Sequence, residues 1–226
     1  MTMLIAAVAV FVLMHFLISG TRLRGVLVGV VGEGAYMGLF SLASLAAIVW
    51  LSMAYGAARG TGELYWTAPA WGAWAQAAIQ LVALLMVVIG VTTPNPTSVK
   101  QEAFAAKPAT GMLRVTRHPF LWGVALWALG HLLVNGDGPG LVLFGGMAIL
   151  AAGGTWSIDA KRRRAMGDAW TPFAAQTSNI PFAAILAGRQ SLRLGEIGWW
   201  RIALGLAVWA ALLWGHGLVF GVPALP

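Results

Sequence analysis

Apolar stretches of about 20 residues, each long enough to cross the hydrocarbon of a bilayer, recur along the chain at 2–20, 34–55, 72–93, 119–136, 139–158 and 199–221. Of 226 residues, 59% are apolar and only 9% are charged, against the ~25% charged residues usual in soluble domains. The expectation is an all-α fold: one domain over residues 1–226, built as a polytopic membrane bundle of six transmembrane helices.

The breaks between spans have chemical causes. Pro94 and Pro96 end the third, because proline cannot continue a helix. His118-Pro119 opens the fourth, with proline suited to the first helical position. Asn135-Gly136-Asp137-Gly138-Pro139 reads as a tight turn. Orientation follows from the basic residues. Arg22 and Arg24, then Lys100, Lys107, Arg114 and Arg117, then Lys161 to Arg164, Arg189, Arg193 and Arg201 fill alternate loops, and Arg59 alone falls on the other side. Those loops are expected in the cytoplasm and both termini outside it, in the inner (cytoplasmic) membrane of a bacterium.

The net charge of +7 lies in short loops, which suits an anionic membrane surface rather than nucleic acid. The chain has no cysteine, which removes disulfides, iron–sulfur clusters, thiolate-ligated haem and covalent c-type haem. The first run lacks a basic flank and a small-residue cleavage site, so it reads as a retained helix. Gly145, Ala148 and Ala152, with Gly146 and Gly154 nearby, form a small-residue stripe in the fifth span, read as helix packing. Segment 159–198 is not a span, and its aromatics beside basic residues suit the headgroup layer.

Histidines inside apolar runs need partners, since hydrocarbon cannot solvate an imidazole. His15 and His131 lie at such depths. A metal cofactor is the most economical partner, with non-covalent haem leading. In this reading His15 and His131 are axial ligands and Trp127 packs against the macrocycle. Gly123 and Gly130 leave room for it. Arg22, two helical turns beyond His15, meets a propionate. A hydrogen bond across helices is the alternative for each histidine, and helix packing the alternative for the glycines. Arg117 and His118 either hold an anion at the helix N-terminus or form an interfacial cap. His216 is a weaker ligand candidate. Along straight helices His15 and His131 are not level, so His131 with His216, or one histidine with water, stay open. No HxxxH or HExxH spacing occurs, which argues against a zinc hydrolase.

Gly111 to Pro119, Trp127 to His131, Thr177 to Ala183, and the early His15, Ser19 and Arg22 together resemble the NnrU family, which includes plant and cyanobacterial 15-cis-zeta-carotene isomerase. The resemblance implies a haem b membrane protein, with histidines at positions like His15 and His131 holding iron. Reduction would then permit cis–trans isomerisation of a polyene. The implied partners are membrane lipid, an apolar polyene-like molecule and an unidentified electron donor. Two rivals remain. Arg117-His118-Pro119-Phe120 also resembles membrane methyltransferases that use S-adenosylmethionine, although no acidic pair follows Asp159. A non-enzymatic haem or nitric-oxide sensor or carrier, linked to nitrogen-oxide metabolism, is the other.

Overall fold

A computed structural model describes residues 1–226. The chain is helical throughout its regular structure, with helices α1 (Thr2–Ser19), α2 (Leu23–Val31), α3 (Glu33–Ala58), α4 (Gly72–Thr92), α5 (Pro119–Val134), α6 (Gly138–Met166), α7 (Thr171–Gln176), α8 (Ala183–Leu186) and α9 (Trp199–Phe220). Five of them, α1, α3, α4, α6 and α9, are long and apolar enough to cross a membrane. The fourth expected span is shorter than its apolar run. α5 ends at Val134, where Asn135 turns its side chain back onto the His131 carbonyl at 2.7 Å. Its 16 residues rise about 24 Å, less than the ~30 Å of hydrocarbon. α5 lies between α4 and α6, so protein rather than lipid covers most of it.

Two boundaries depart from expectation. α6 continues past residue 158 to Met166, because Ala160 to Ala165 are good helix formers and because Asp159 and Arg162 are buried there. α2 occupies what reads in sequence as a loop; it is nine residues long and buries none of them. The last six residues of α1, Met14–Ser19, wind as a wider π-turn.

α6 sets the sense of its neighbours. Val8 and Phe16 of α1, and Gly20 just beyond its end, meet Gly146, Gly153 and Ser157, so α1 and α6 run the same way. Leu121 meets Gly154 and His131 meets Phe144, so α5 runs the opposite way. Within the small-residue stretch, Ala148 packs on the core and Gly146 and Gly154 meet Val8 and Leu121, but Gly145 faces open space and the other close approach is at Gly153. Leu4, Phe11, Leu51, Ala128 and Phe144 belong to the single apolar core that these helices enclose.

The two ends of the bundle differ in charge. At one end Arg59 donates to the Phe220 carbonyl and the segment 63–66 pairs with 136–138. The other basic residues follow the opposite ends of the helices, where Arg164 reaches Gly20, Arg162 reaches Ser98 and Arg201 reaches Thr92. There, segments 93–118 and 167–198 fold into a cap with its own small core of Ala105, Ala109, Leu113, Trp170 and Phe173. Trp170 and Phe173 are each 1% exposed; these two are therefore core residues rather than headgroup anchors.

Gly123 sets the closest approach of α5 to α4. A methyl there would lie 2.7 Å from the Ala83 carbonyl oxygen and 2.9 Å from the Val87 nitrogen. Gly123→Leu should therefore lower the thermal midpoint of the detergent-solubilised protein, by an overpacking cost of about 1–3 kcal/mol or more.

Candidate functional site

His118 precedes the first turn of α5, and Pro119, lacking an N–H, occupies the first helical position. The chain just before it pairs with segment 178–182: Arg117 N–H donates to the Ser178 carbonyl and Phe182 N–H to that of Val115. This pairing aims Arg117 and His118 at α6, where Asp159 receives both. Arg117 Nε and Nη2 reach the carboxylate at 2.9 and 2.7 Å. His118 Nε2 approaches Oδ1 at 2.8 Å and Asn179 Nδ2 donates to Oδ2 at 3.0 Å. The carboxylate thus has three donor residues, as a buried charge requires. His118 is 2% exposed, and burial pushes its imidazole below the ordinary histidine range against the pull of Asp159. The neutral ring donates through Nε2, so that nitrogen has no lone pair for a metal.

The two intramembrane histidines are held differently. His15 Nδ1 lies 2.7 Å from the Phe11 carbonyl oxygen, one turn back on its own helix. His131 Nδ1 lies 2.8 Å from the Trp127 carbonyl oxygen in the same relation. A carbonyl can only accept, so each Nδ1 carries the proton and each Nε2 carries the lone pair. Neither Nε2 has a protein partner among the hydrogen bonds of the structure. This backbone-anchored tautomer is the arrangement that metal-ligating histidines use, so the donor set fits a porphyrin iron.

The rings border the same apolar core. His15 contacts Phe11 and Phe40, while His131 stacks on Phe144 at 4.7 Å and touches Trp127 at 4.9 Å. They are not level. Phe16 meets α6 at Gly153 and His131 meets it at Phe144, nine positions or about 13 Å apart at the helical rise. Because α1 and α5 run in opposite senses and each ring bends back toward its own helix start, the two imidazoles lean toward a common level.

The remaining expected site residues are placed as follows. Arg22 stands outside α1, whose helix stops at Ser19, so the two-turn phase from His15 does not reach it. Arg117 and His118 are both committed to Asp159 rather than free for an anion. Gly123 and Gly130 admit α4, not a macrocycle: methyl groups on them would strike Ala83 and the Gln76 and Gln80 side chains. His216 bonds the Val222 carbonyl at the rim of α9. No three His, Cys, Asp or Glu side chains gather into a bare-metal site. Two cavities, of about 190 and 660 Å³, lie in the cap and include no histidine and not Arg117.

The family model described as NnrU protein matches residues 3–224. The chain belongs to the NnrU family. Curated relatives of this NnrU protein are the chloroplastic 15-cis-zeta-carotene isomerases of Zea mays and Arabidopsis thaliana, each 36% identical over 83 residues. Those residues are 37% of this chain and 23% of each relative, so the match spans under a quarter of their length. No solved structure matches.

Asp159, Asn179, Gln76 and Gln80 are the residues that sequence reasoning missed. Asp159 carried a signal, being a lone carboxylate where an apolar run meets a basic one. Gln76 and Gln80 carried another, as two amides four positions apart in an apolar span.

Asp159→Asn should cost about 3–5 kcal/mol of stability by leaving Arg117 buried without a counter-charge, read as a fall in thermal midpoint. A pH effect follows from Glu196. Arg114 and the Gly111 N–H hold its carboxyl at about 2, below the model-compound value of 4.5. A depressed carboxyl stabilises the fold above its unfolded value and loses that contribution as pH falls through the folded one. Hydrogen-exchange protection of residues 111–116 should therefore decline from pH 4.5 toward 2, and Glu196→Gln should flatten that decline.

Proposed function

We propose that this NnrU protein is a haem b-binding isomerase of an apolar, carotenoid-like polyene, active within the membrane and gated by reduction. The observation that carries the reading is the matched pair of imidazoles: His15 and His131 are each anchored through Nδ1 on their own helix and present an unpartnered Nε2. The partial likeness to two carotene isomerases supports the substrate class.

His15 and His131 would hold the haem iron through Nε2, and Trp127, Phe144 and Phe11 would keep water from those nitrogens. Arg22, exposed at the basic end, would be available to a propionate, whereas Arg117 is held by Asp159. Bound iron, when reduced by a donor outside the chain, supplies the electronic means of lowering the bond order of a polyene double bond. The lipid-facing helices give such a substrate an apolar route. The six spans, counting α5, sit in a bacterial inner membrane with the basic end in the cytoplasm and both termini outside.

The test is the pigment content of protein made with ample haem supply. A Soret band that shifts with dithionite is expected. His131→Ala and His15→Ala should each abolish or recast it, and His216→Ala should leave it unchanged. Incubation of reduced protein with a cis-polyene, with products resolved by chromatography, should show isomerisation that oxidised protein does not. A colourless protein that binds S-adenosylmethionine would overturn the reading in favour of methyl transfer. A haem protein that leaves every polyene unchanged while binding nitric oxide would overturn isomerisation in favour of a sensor.

A further inference from the structure

α4 is an apolar helix with two amide side chains, Gln76 and Gln80. Four residues apart, they share one face. Their heads converge on Gly130 of α5: a methyl built there would lie 2.5 Å from Gln76 Oε1 and 2.7 Å from Gln80 Nε2. Amides that served only to join helices would bond to each other or satisfy both their atoms. Instead both Oε1 atoms are buried without a partner, and the carbonyl bond that the pair makes runs from Gln80 Nε2 to Trp127 at 3.1 Å.

That carbonyl is the one His131 uses. His131 Nδ1 donates to it at 2.8 Å, and the helical bond pattern already directs the backbone N–H of residue 131 at it. Gln80 Nε2 stands 3.4 Å from His131 Nδ1. Both nitrogens are donors aimed at the same oxygen, so they lie side by side and do not bond to each other. A flipped amide would set Oε1 against the Trp127 oxygen, which fixes the orientation.

We propose that Gln80 is a positioning residue for His131, and that it limits the donor strength of the ring by competing for the Trp127 carbonyl. The inference deepens the haem reading and rests on it where iron is concerned. A carbonyl shared among donors polarises each of them less. The Nδ1–H bond is thereby kept weak, and His131 Nε2 remains a moderate rather than an imidazolate-like ligand. Removing the amide gives the carbonyl back to Nδ1–H. The ring then becomes a stronger donor, favours the oxidised metal and lowers its reduction midpoint.

The experiment compares Gln80→Met and Gln80→Asn with Gln76→Met. Gln80→Met keeps length without a donor. Gln80→Asn keeps an amide one methylene too short to reach, and decides the matter if the methionine variant does not fold. Gln76→Met removes the neighbouring amide that makes no bond to Trp127. Two readouts are taken: the His131 Nδ1–H proton and ¹⁵N shifts of histidine-labelled apoprotein, and the reduction midpoint of the pigmented protein. Both Gln80 variants should move the proton downfield and the midpoint to lower potential, while Gln76→Met moves neither. An unmoved Nδ1–H signal in the Gln80 variants, or an equal shift in Gln76→Met, overturns the proposal. Wild-type protein without haem would overturn the functional reading instead, and the apoprotein shifts would still decide the role of Gln80.

Discussion

One carboxylate holds the basic end of this protein together. Asp159 takes hydrogen bonds from Arg117, His118 and Asn179, and so joins the start of α5, the far end of α6 and the segment leading to α8. Two charges in such a place each lose several kcal/mol of hydration. Only close bidentate geometry with further donors offsets that loss. The surrounding pairs extend the arrangement. Arg162 binds Glu102 and the Ser98 carbonyl, and Arg114 binds Glu196. The cap is therefore assembled mainly by buried polar contacts around a small apolar core, the reverse of the bundle beneath it.

In the bundle, several polar side chains are committed to backbone. His15 and His131 spend one ring nitrogen on a carbonyl of their own helix, Thr155 bonds Ala152 and Ser52 bonds Ile48. Where hydrocarbon offers no alternative partner, such bonds decide a side chain's tautomer and direction. The ring nitrogens Nε2 of His15 and His131 lack such a partner, and so do the buried oxygens of Tyr36, Ser44, Gln76 and Gln80.

Long periods were legible in the sequence. Apart from α6, which runs on from 158 to Met166, the apolar runs matched the long helices to within a few residues, and Pro94, Pro119 and Asp137 marked true ends, Asp137 capping α6 through its side chain. Partition of the basic residues separated the two ends correctly. Contacts between elements distant in the chain were not legible. Trp170 and Phe173 looked like interface anchors because burial in a cap depends on how 93–118 returns over 167–198. Gly123 and Gly130 admitted two readings, space beside a histidine or helix packing, because a glycine does not announce which neighbour fills it, and packing against α4 is the one found. Arg22 was placed on a helix that ends three residues earlier. The hub at Asp159 joins residues more than 40 positions apart, beyond the reach of local pattern.

The wide turn at Met14–Ser19 has a consequence for variation in α1. A π-turn absorbs one residue more than the α register requires, while the helix on either side keeps its phase. A chain shortened by one residue there rewinds as ordinary helix: Val8 and Gly20 keep their seats on α6, while the bearings of His15 and of Phe16, which meets Gly153, change. The same shortening anywhere earlier in α1 would turn all that follows by about 100°. Slack of a single residue thus couples the ring's direction to one contact, Phe16 on Gly153, and leaves the seats on either side in place.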